Sequence, residues 1–252
     1  FSVIRNRAIY VLHTTMKLYD KKYHYLFKKG VKFIYGKRKI VAVSKGLAAE
    51  LIEEYGLETQ NVKVIYNPIN IKRIEELSNE KIDINEKYFL CVGRLSNEKR
   101  QDRCIEIFYK GGFFKNYKLV FCGVGPNEQV LRENVKKKGI QDKVIFMGWQ
   151  NNIYKWMKNA EILLLTSDLE AFPMNLIEAM SVGTKIVSAD CDFGPNEILI
   201  DEYQKYLVET QNIEKYIHTI NLALKDYPEK PNTVLMECYP ESVIKKYIEF
   251  MR

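Results

Sequence analysis

Two carboxylates stand eight positions apart in the stretch ILLLTSDLEAFPMNLIEAMSVGTKIV, residues 162–187: Glu170 and Glu178. A buried strand is expected to end at Thr166, a short loop carries Glu170, and Pro173 stands where a first helical residue belongs. Glu178 then lies about a turn and a half inside that helix, so the two acids are not a same-face pair. Glu170 belongs to the carboxyl edge of a sheet, where open α/β sheets bind ligands, and Glu178 looks out from the helix beneath. Between them the backbone N–H groups of Met174, Asn175 and Leu176 make a positive helix end suited to a diphosphate. Carboxylates flanking an anion site are electrostatically awkward, but they can accept hydrogen bonds from the hydroxyls of a sugar and a ribose. Taken alone, the same pattern also reads as two exposed acids stabilised by a helix dipole.

A second stretch, YFLCVGRLSNEKR at residues 88–100, puts Arg94 and Lys99 in the loop after an apolar strand. Loops at that edge face the same crevice as Glu170. Two cations beside a helix N-terminus can hold a diphosphate leaving group without a metal, Arg through its planar fork and Lys as a point charge. Two other patterns imitate known sites. Asp190-Cys191-Asp192 has the form of an Asp-x-Asp metal motif, but cations and a helix end already meet the diphosphate charge. Gly123-x-Gly125 has the form of a dinucleotide fingerprint, but its third glycine is missing and no acid closes the next strand at ribose distance. An NAD-dependent oxidoreductase is therefore disfavoured.

The elements that must position these residues follow from periodicity. From Lys87 onward, short apolar runs at 88–92, 118–122, 144–147, 162–166 and 185–188 read as strands. Amphipathic segments at 101–109, 128–138, 153–158 and 173–182 read as the helices between them. That alternation predicts an α/β fold with a doubly wound parallel sheet. Upstream, 39–43 and 62–65 read as strands and 45–55 as a helix, with Asn67-Pro68 as an interdomain turn. The chain therefore divides into 1–68, the remnant of one domain, 69–236, a complete second domain, and 237–252. The last part contains an amphipathic helix with Val243, Tyr247 and Ile248 on one face. About 66 residues before the linker are too few for a second whole domain, and the absence of an initiating Met suggests a missing upstream part.

Bulk properties exclude several classes. Of 252 residues, 46% are hydrophobic and 28% charged, an ordinary globular balance without a membrane-spanning run or a secretory signal. Five scattered cysteines, with no Cys-x-x-Cys pair, read as reduced core residues of a cytosolic protein. The net charge of +7 is uneven: residues 1–39 hold eleven Lys or Arg against Asp20 alone, which leaves the remainder net negative. Lys17, Lys21, Lys22, Lys28, Lys29 and Lys32 alternate there with Tyr19, Tyr23, Tyr25, Phe27 and Phe33, a mixture suited to an anionic membrane surface or nucleic acid. The plainer alternative is a solvated helix whose counter-charges lie elsewhere.

With VGRL and Lys99, GVGP at 123–126, FMGW ending at Trp149, Glu-x7-Glu at 170–178 and FGPNEI at 193–198, residues 39–252 resemble the retaining GT-B glycosyltransferases of family 4. LTSDLEAFPMNLIEAMS and SADCDFGPNEI look most like bacterial lipopolysaccharide core galactosyltransferases. The resemblance implies a complete C-terminal Rossmann-like domain plus the end of an N-terminal one. It also implies transfer of a hexosyl unit from a UDP-sugar to a lipopolysaccharide or lipid-linked glycan, with no metal or other cofactor, at the cytoplasmic face of the inner membrane. By the same resemblance Arg94 and Lys99 grip the diphosphate, Glu170 meets the hexose and Glu178 the ribose. Phe172, Pro173, Met174, Asn175 and Leu176 supply backbone contacts. Gly125 lies in the substrate site, Gln150 or its neighbour holds the base, and His13 faces the donor sugar from the acceptor side. Ala171 departs from the family's usual glycine, and the glycine-rich first strand of the acceptor domain is absent. Rival readings are a UDP-sugar 2-epimerase of the same fold and a basic membrane or nucleic-acid adaptor; nucleic acid is not the expected partner.

Overall fold

The computed structural model describes residues 8–16, 24–228 and 232–252. Lys17, Tyr19, Lys21, Lys22 and Tyr23 of the basic stretch lie outside the described residues. The first sheet is parallel, in the order β1 (Ile9–Leu12), β2 (Lys39–Ala42), β3 (Val62–Val64). Parallel neighbours need crossovers, which α1 (His24–Tyr35) and α2 (Lys45–Ala49) supply. Ser44 caps α2 by accepting the Leu47 N–H at 3.2 Å, and the helix runs on as a π-helical turn over Glu50–Glu54. From that turn the buried Glu50 carboxylate accepts the Thr15 hydroxyl at 2.7 Å and the Met16 N–H at 3.0 Å. The segment following β1 is thereby tied to α2.

After α3 (Ile71–Ser78) the chain builds a second, six-stranded parallel sheet. Its elements in chain order are β4 (Tyr88–Val92), α4 (Gln101–Lys110), β5 (Lys118–Cys122), α5 (Glu128–Lys137), β6 (Val144–Gly148) and α6 (Tyr154–Lys158). Next come β7 (Ile162–Leu165), α7 (Met174–Ser181), β8 (Ile186–Ala189), α8 (Pro195–Ile198), β9 (Leu207–Val208) and α9 (Ile213–Lys225). The spatial order is β6-β5-β4-β7-β8-β9. The central strands are buried along nearly their whole length because helices lie on both faces, which is why they read as continuous apolar runs rather than alternating ones. α4 packs beside α5 and α9, while α3, α6 and α7 pack together. Cys104, Ile105, Ile107 and Phe108 of α4, Leu176 and Ile177 of α7, and Tyr216 and Ile220 of α9 are buried. All five cysteines are free and buried; burial pushes the Cys122 and Cys238 thiols up to about 12 and keeps them protonated.

The chain closes with α10 (Thr233–Glu237) and α11 (Pro240–Met251), and α11 returns to the first sheet. There Val243 packs with Val41 and Ile65, with Tyr247 and Phe250 alongside, and the Lys39 ammonium donates to the Phe250 carbonyl at 2.6 Å. Ile248, expected on this face, is instead exposed. Positions 243, 247 and 250 follow the i, i+4, i+7 stripe, and residue 248 is turned one step away from it. Pro173 also differs from expectation: it is the N-cap of α7 rather than its first residue, with φ −72° and ψ 96°. Its ring fixes φ at a helix-compatible value, but the extended ψ delays the first helical turn to Met174. No described helix is long and apolar enough to cross a membrane.

Candidate functional site

Strand order reverses at β4, which has β5 on one side and β7 on the other, so the loops after β4 and β7 face one crevice at the carboxyl edge. They are joined there by hydrogen bonds. The Lys99 ammonium lies 2.6 and 2.7 Å from the two Glu170 oxygens, and the Ser167 hydroxyl donates to Glu170 Oε1 at 2.6 Å. Only 8% of the Glu170 side chain is exposed, so an ionised carboxylate needs these donors to offset its lost hydration. Lys99 is thus engaged by Glu170 rather than standing free for an anion.

A second set of contacts holds the same loops from behind. Arg103 donates to the Thr166 carbonyl and to Asp168, each at 2.6 Å, and Arg100 donates to Asp168 at 2.8 Å. Thr166 Oγ1 returns a bond to the Arg100 carbonyl at 2.9 Å, and the Asp168 N–H reaches the Glu98 carbonyl at 2.8 Å. Burial works to raise the Asp168 carboxyl, but the bonds from Arg100 and Arg103 overturn that and hold it below its usual range. Arg100 sits in the left-handed region at φ 52°, a strained place for a side-chain-bearing residue, and its ties to Asp102 and Asp168 oppose that strain. Ala171, by contrast, keeps a negative φ, so the methyl carries no backbone strain.

The exposed Arg94 borders a cavity of about 470 Å³ whose lining also includes Val92, Val124, Pro126, Trp149 and Ile153. The Gln101 amide fixes the Arg94 carbonyl at 2.9 Å. Gly125 lies at this cavity because two loops meet backbone to backbone there: a Cβ on it would stand 2.2 Å from the Leu95 carbonyl oxygen. Gln150 also lines the cavity, but its side chain is committed elsewhere, donating to the Met147 carbonyl and accepting the Trp156 indole N–H, both at 3.0 Å. Any contact it makes to a base falls to its backbone. Trp149, 74% exposed, stands at the rim.

The start of α7 offers two open N–H groups, not three. Leu176 N–H turns back to the Pro173 carbonyl at 3.0 Å, and no side chain caps the helix, which leaves Met174 and Asn175. The Asn175 amide donates to the Val92 carbonyl at 3.0 Å and pins α7 to the end of β4. Phe172 and Pro173 are buried, and Phe172 stacks on Tyr66. Glu178 is half-buried on α7 and accepts the Tyr154 hydroxyl at 3.4 Å. Burial pushes its carboxyl up to about 7, against the Tyr154 bond that favours the charged form.

The structure thus brings Lys99 to Glu170, Asn175 of α7 to the end of β4, and Arg94 to the cavity that Gly125 and Gln150 also line. His13 follows β1 of the first sheet, exposed just beyond the carboxyl end of that strand. Among the described residues no hydrogen bond or ion pair joins it to Glu170, Arg94 or Lys99. The main chain of Asp190 and Asp192 joins neighbouring segments: the Asp190 N–H reaches the Val208 carbonyl at 2.7 Å, and the Asp192 carbonyl accepts the Glu170 N–H at 3.4 Å. Among the described residues no group of three or more His, Cys, Asp or Glu is placed to hold a metal ion. Sequence reasoning missed Ser167, Asp168, Arg100, Arg103 and Tyr154. The one available signal was the position of Ser167 and Asp168 between a strand end and Glu170.

The chain resembles known proteins in sequence and fold. The chain is 28% identical over 187 residues to N-acetylgalactosamine-N,N'-diacetylbacillosaminyl-diphospho-undecaprenol 4-alpha-N-acetylgalactosaminyltransferase of Campylobacter jejuni, covering 74% of this chain and 51% of that protein. It is 31% identical over 191 residues to lipopolysaccharide 1,6-galactosyltransferase of Salmonella typhimurium, covering 73% of this chain and 52% of that protein. The chain thus spans about half the length of the curated relatives it matches. A solved structure of HepE from Anabaena in complex with UDP superposes with a TM-score of 0.78 at 18% identity, over 96% of this chain and 71% of that one, a likeness of fold. Residues 3–73 match the profile described as Glycosyltransferase Family 4. Residues 72–234, which hold Arg94, Lys99, Gly125, Gln150, Glu170 and Glu178, match Glycosyl transferases group 1, and the chain belongs to that family, with its GT-B fold.

Proposed function

We propose that this chain carries the donor-binding part of a retaining hexosyltransferase, which moves a hexosyl unit from a UDP-sugar to a lipid-linked or lipopolysaccharide glycan. The observation that carries this reading is the Lys99–Glu170 pair joining the loops after β4 and β7, with the open start of α7 pinned through Asn175 to Val92, which lines an apolar cavity of about 470 Å³. Concave apolar walls with a few convergent polar groups suit a planar base with a charged tail. The base enters the cavity, the ribose hydroxyls donate to Glu178, the diphosphate lies over Arg94, Lys99 and the N–H groups of Met174 and Asn175, and the hexose reaches Glu170. His13 faces that hexose from the acceptor side.

As the bond from the anomeric carbon to the diphosphate breaks, negative charge grows on the leaving oxygen and positive charge on the ring. Arg94, Lys99 and the α7 N–H groups stabilise the first, a preorganised electrostatic effect of the kind that dominates many enzymes. Glu170, held by Lys99 and Ser167, orients the sugar. The acceptor oxygen bonds to the same face of the anomeric carbon while its proton passes to the departing phosphate oxygen, which retains configuration without a protein nucleophile. Two cations and a helix end meet the diphosphate charge, so neither metal nor cofactor is required. The two relatives named above are transferases, one acting on a diphospho-undecaprenol-linked glycan and one on lipopolysaccharide, and a 2-epimerase or a nucleic-acid adaptor gains nothing from them. A thermal-shift panel of UDP, GDP, UDP-Gal, UDP-Glc and UDP-GlcNAc, with and without chelator, tests the reading. Stabilisation by UDP that survives the chelator is expected; a strict Mn²⁺ requirement, or no response to any nucleotide, refutes it.

Peripheral contact with the anionic cytoplasmic face of the inner membrane is supported by α1. It exposes Tyr25, Leu26, Phe33 and Ile34 among Lys29 and Lys32, has no acidic residue, and leaves Phe33 88% exposed. Apolar side chains interleaved with lysines match a bilayer with anionic headgroups. Cosedimentation with anionic but not neutral vesicles checks this, and salt-sensitive RNA binding without vesicle binding would overturn it.

A further inference from the structure

The loop that carries Glu170 is held from outside its own sheet. Tyr66 is buried between β3 and α3, and its ring stacks on Phe172 with centroids 4.6 Å apart and planes 10° from parallel. Its hydroxyl donates to Glu197 at 3.2 Å. The same Glu197 carboxylate accepts the N–H groups of Lys45 at 2.7 Å and Gly46 at 2.8 Å, at the start of α2. Three residues before Glu197, Gly194 supports the Glu170 loop from below. A Cβ there would stand 2.5 Å from the Pro173 ring, 3.0 Å from the Ala171 carbonyl oxygen and 3.0 Å from Phe172 Cα. The segments that follow β2 and β3 therefore reach residues 171–173 twice, directly through the Tyr66 ring and indirectly through α2, Glu197 and Gly194. α7 has anchors of its own in buried Leu176 and Ile177 and in the Asn175–Val92 bond, so the diphosphate end of the site does not depend on this stack.

We propose that Tyr66 is a positioning residue for the donor sugar: its ring on Phe172 holds the backbone that aims Glu170, and so couples the acceptor-side sheet to sugar recognition. This rests on the donor reading above, and it assigns sugar selectivity in part to a residue outside the donor-binding sheet. The coupling is physical contact rather than charge. An offset between the two domains that parts the rings frees the 169–172 loop and leaves the aim of Glu170 to Lys99 and Ser167 alone, of which Lys99 is the one a bound diphosphate draws away.

Two variants separate positioning from folding. Tyr66→Phe keeps the ring and loses only the bond to Glu197; Tyr66→Leu keeps an apolar side chain in the buried site and loses the stack. Titration calorimetry of the chain with UDP and with UDP-hexose reads both. A stacked pair corresponds to roughly three- to tenfold in a binding constant. Tyr66→Leu is therefore expected to weaken UDP-hexose by about that factor with UDP changed less than about twofold, and Tyr66→Phe to stay near the native protein for both. Equal losses for the two ligands, or no loss for either, would overturn the positioning role. A native protein that binds UDP-hexose no differently from UDP would remove the sugar contact of Glu170 and this proposal with it, whereas one that binds neither ligand would sink the donor reading itself.

Discussion

Glu178→Gln is expected to stabilise the ligand-free chain at pH 8 and, at the same pH, to weaken its nucleotide site. Burial lifts the Glu178 carboxyl from an ordinary 4.5 to about 7. A carboxyl raised in the folded state binds more protons folded than unfolded, so its stabilising contribution is complete below about 4.5 and is lost as the pH climbs through about 7. At about 1.4 kcal/mol per unit, the ionised carboxylate costs the folded chain up to about 3 kcal/mol at pH 8. Glutamine escapes that cost but buries an amide whose one side-chain partner is the Tyr154 hydroxyl, so the net gain falls to about 1–2 kcal/mol. For a chain of this size that is a rise in melting temperature of roughly 2–8 °C. At pH 5 the native side chain is protonated, close in shape and charge to glutamine, and the difference should nearly vanish.

Scanning calorimetry of both proteins at pH 5 and pH 8 measures the effect. An equal difference at the two pH values, or a less stable variant at pH 8, would refute the reasoning. Ligand binding supplies an independent check, because ribose hydroxyls donating to Glu178 favour its ionised form. Uridine, which carries no phosphate, should then bind the native chain more tightly at pH 8 than at pH 6 and release a fraction of a proton near pH 7, read from binding heats in two buffers. Glu178→Gln should lose both the pH dependence and the release. Tyr154→Phe removes the one bond that favours the charged form and should move the native midpoint upward.

Lys99→Ala should weaken UDP by about 1.5–3 kcal/mol while leaving uridine nearly unchanged, since only the diphosphate loses a charge-assisted contact; equal losses would make Lys99 merely the counter-ion of Glu170. Glu170→Gln weakens the hold on Lys99, so it should keep or raise UDP affinity and lower turnover with the UDP-sugar in a full-length enzyme, and a loss of UDP affinity would contradict the division of labour between the glutamates. Gly125→Ala should destabilise the chain by about 2 kcal/mol or more in urea unfolding and weaken UDP, because the new Cβ falls 2.2 Å from the Leu95 carbonyl oxygen; unaltered unfolding would show that the two loops separate at little cost.

The central strands of the six-stranded sheet were legible because they are buried on both faces: YFLCV, KLVFC and ILLL read as central strands, and each falls within a residue of its expected place. β1, with IYVL between basic residues, and the two-residue β9 gave no such signal, since pairing with a neighbour rather than their own composition makes them strands. Arg94, Lys99, Glu170 and Glu178 were legible for a related reason, as they follow strand ends and a helix start at short range. What stayed hidden acts across long stretches of chain. Nothing near Glu197 announces that it closes the start of α2, 151 residues away, and nothing near Tyr66 announces Phe172. The Lys99–Glu170 pair spans 71 residues and joins a residue expected to hold phosphate to one expected to hold sugar. The sequence pattern assigned them separate tasks. Their geometry makes them one unit, and under the proposed donor reading a diphosphate that draws Lys99 away would also release the Glu170 carboxylate toward the sugar. A donor missing either half should therefore lose more than the sum of its missing contacts.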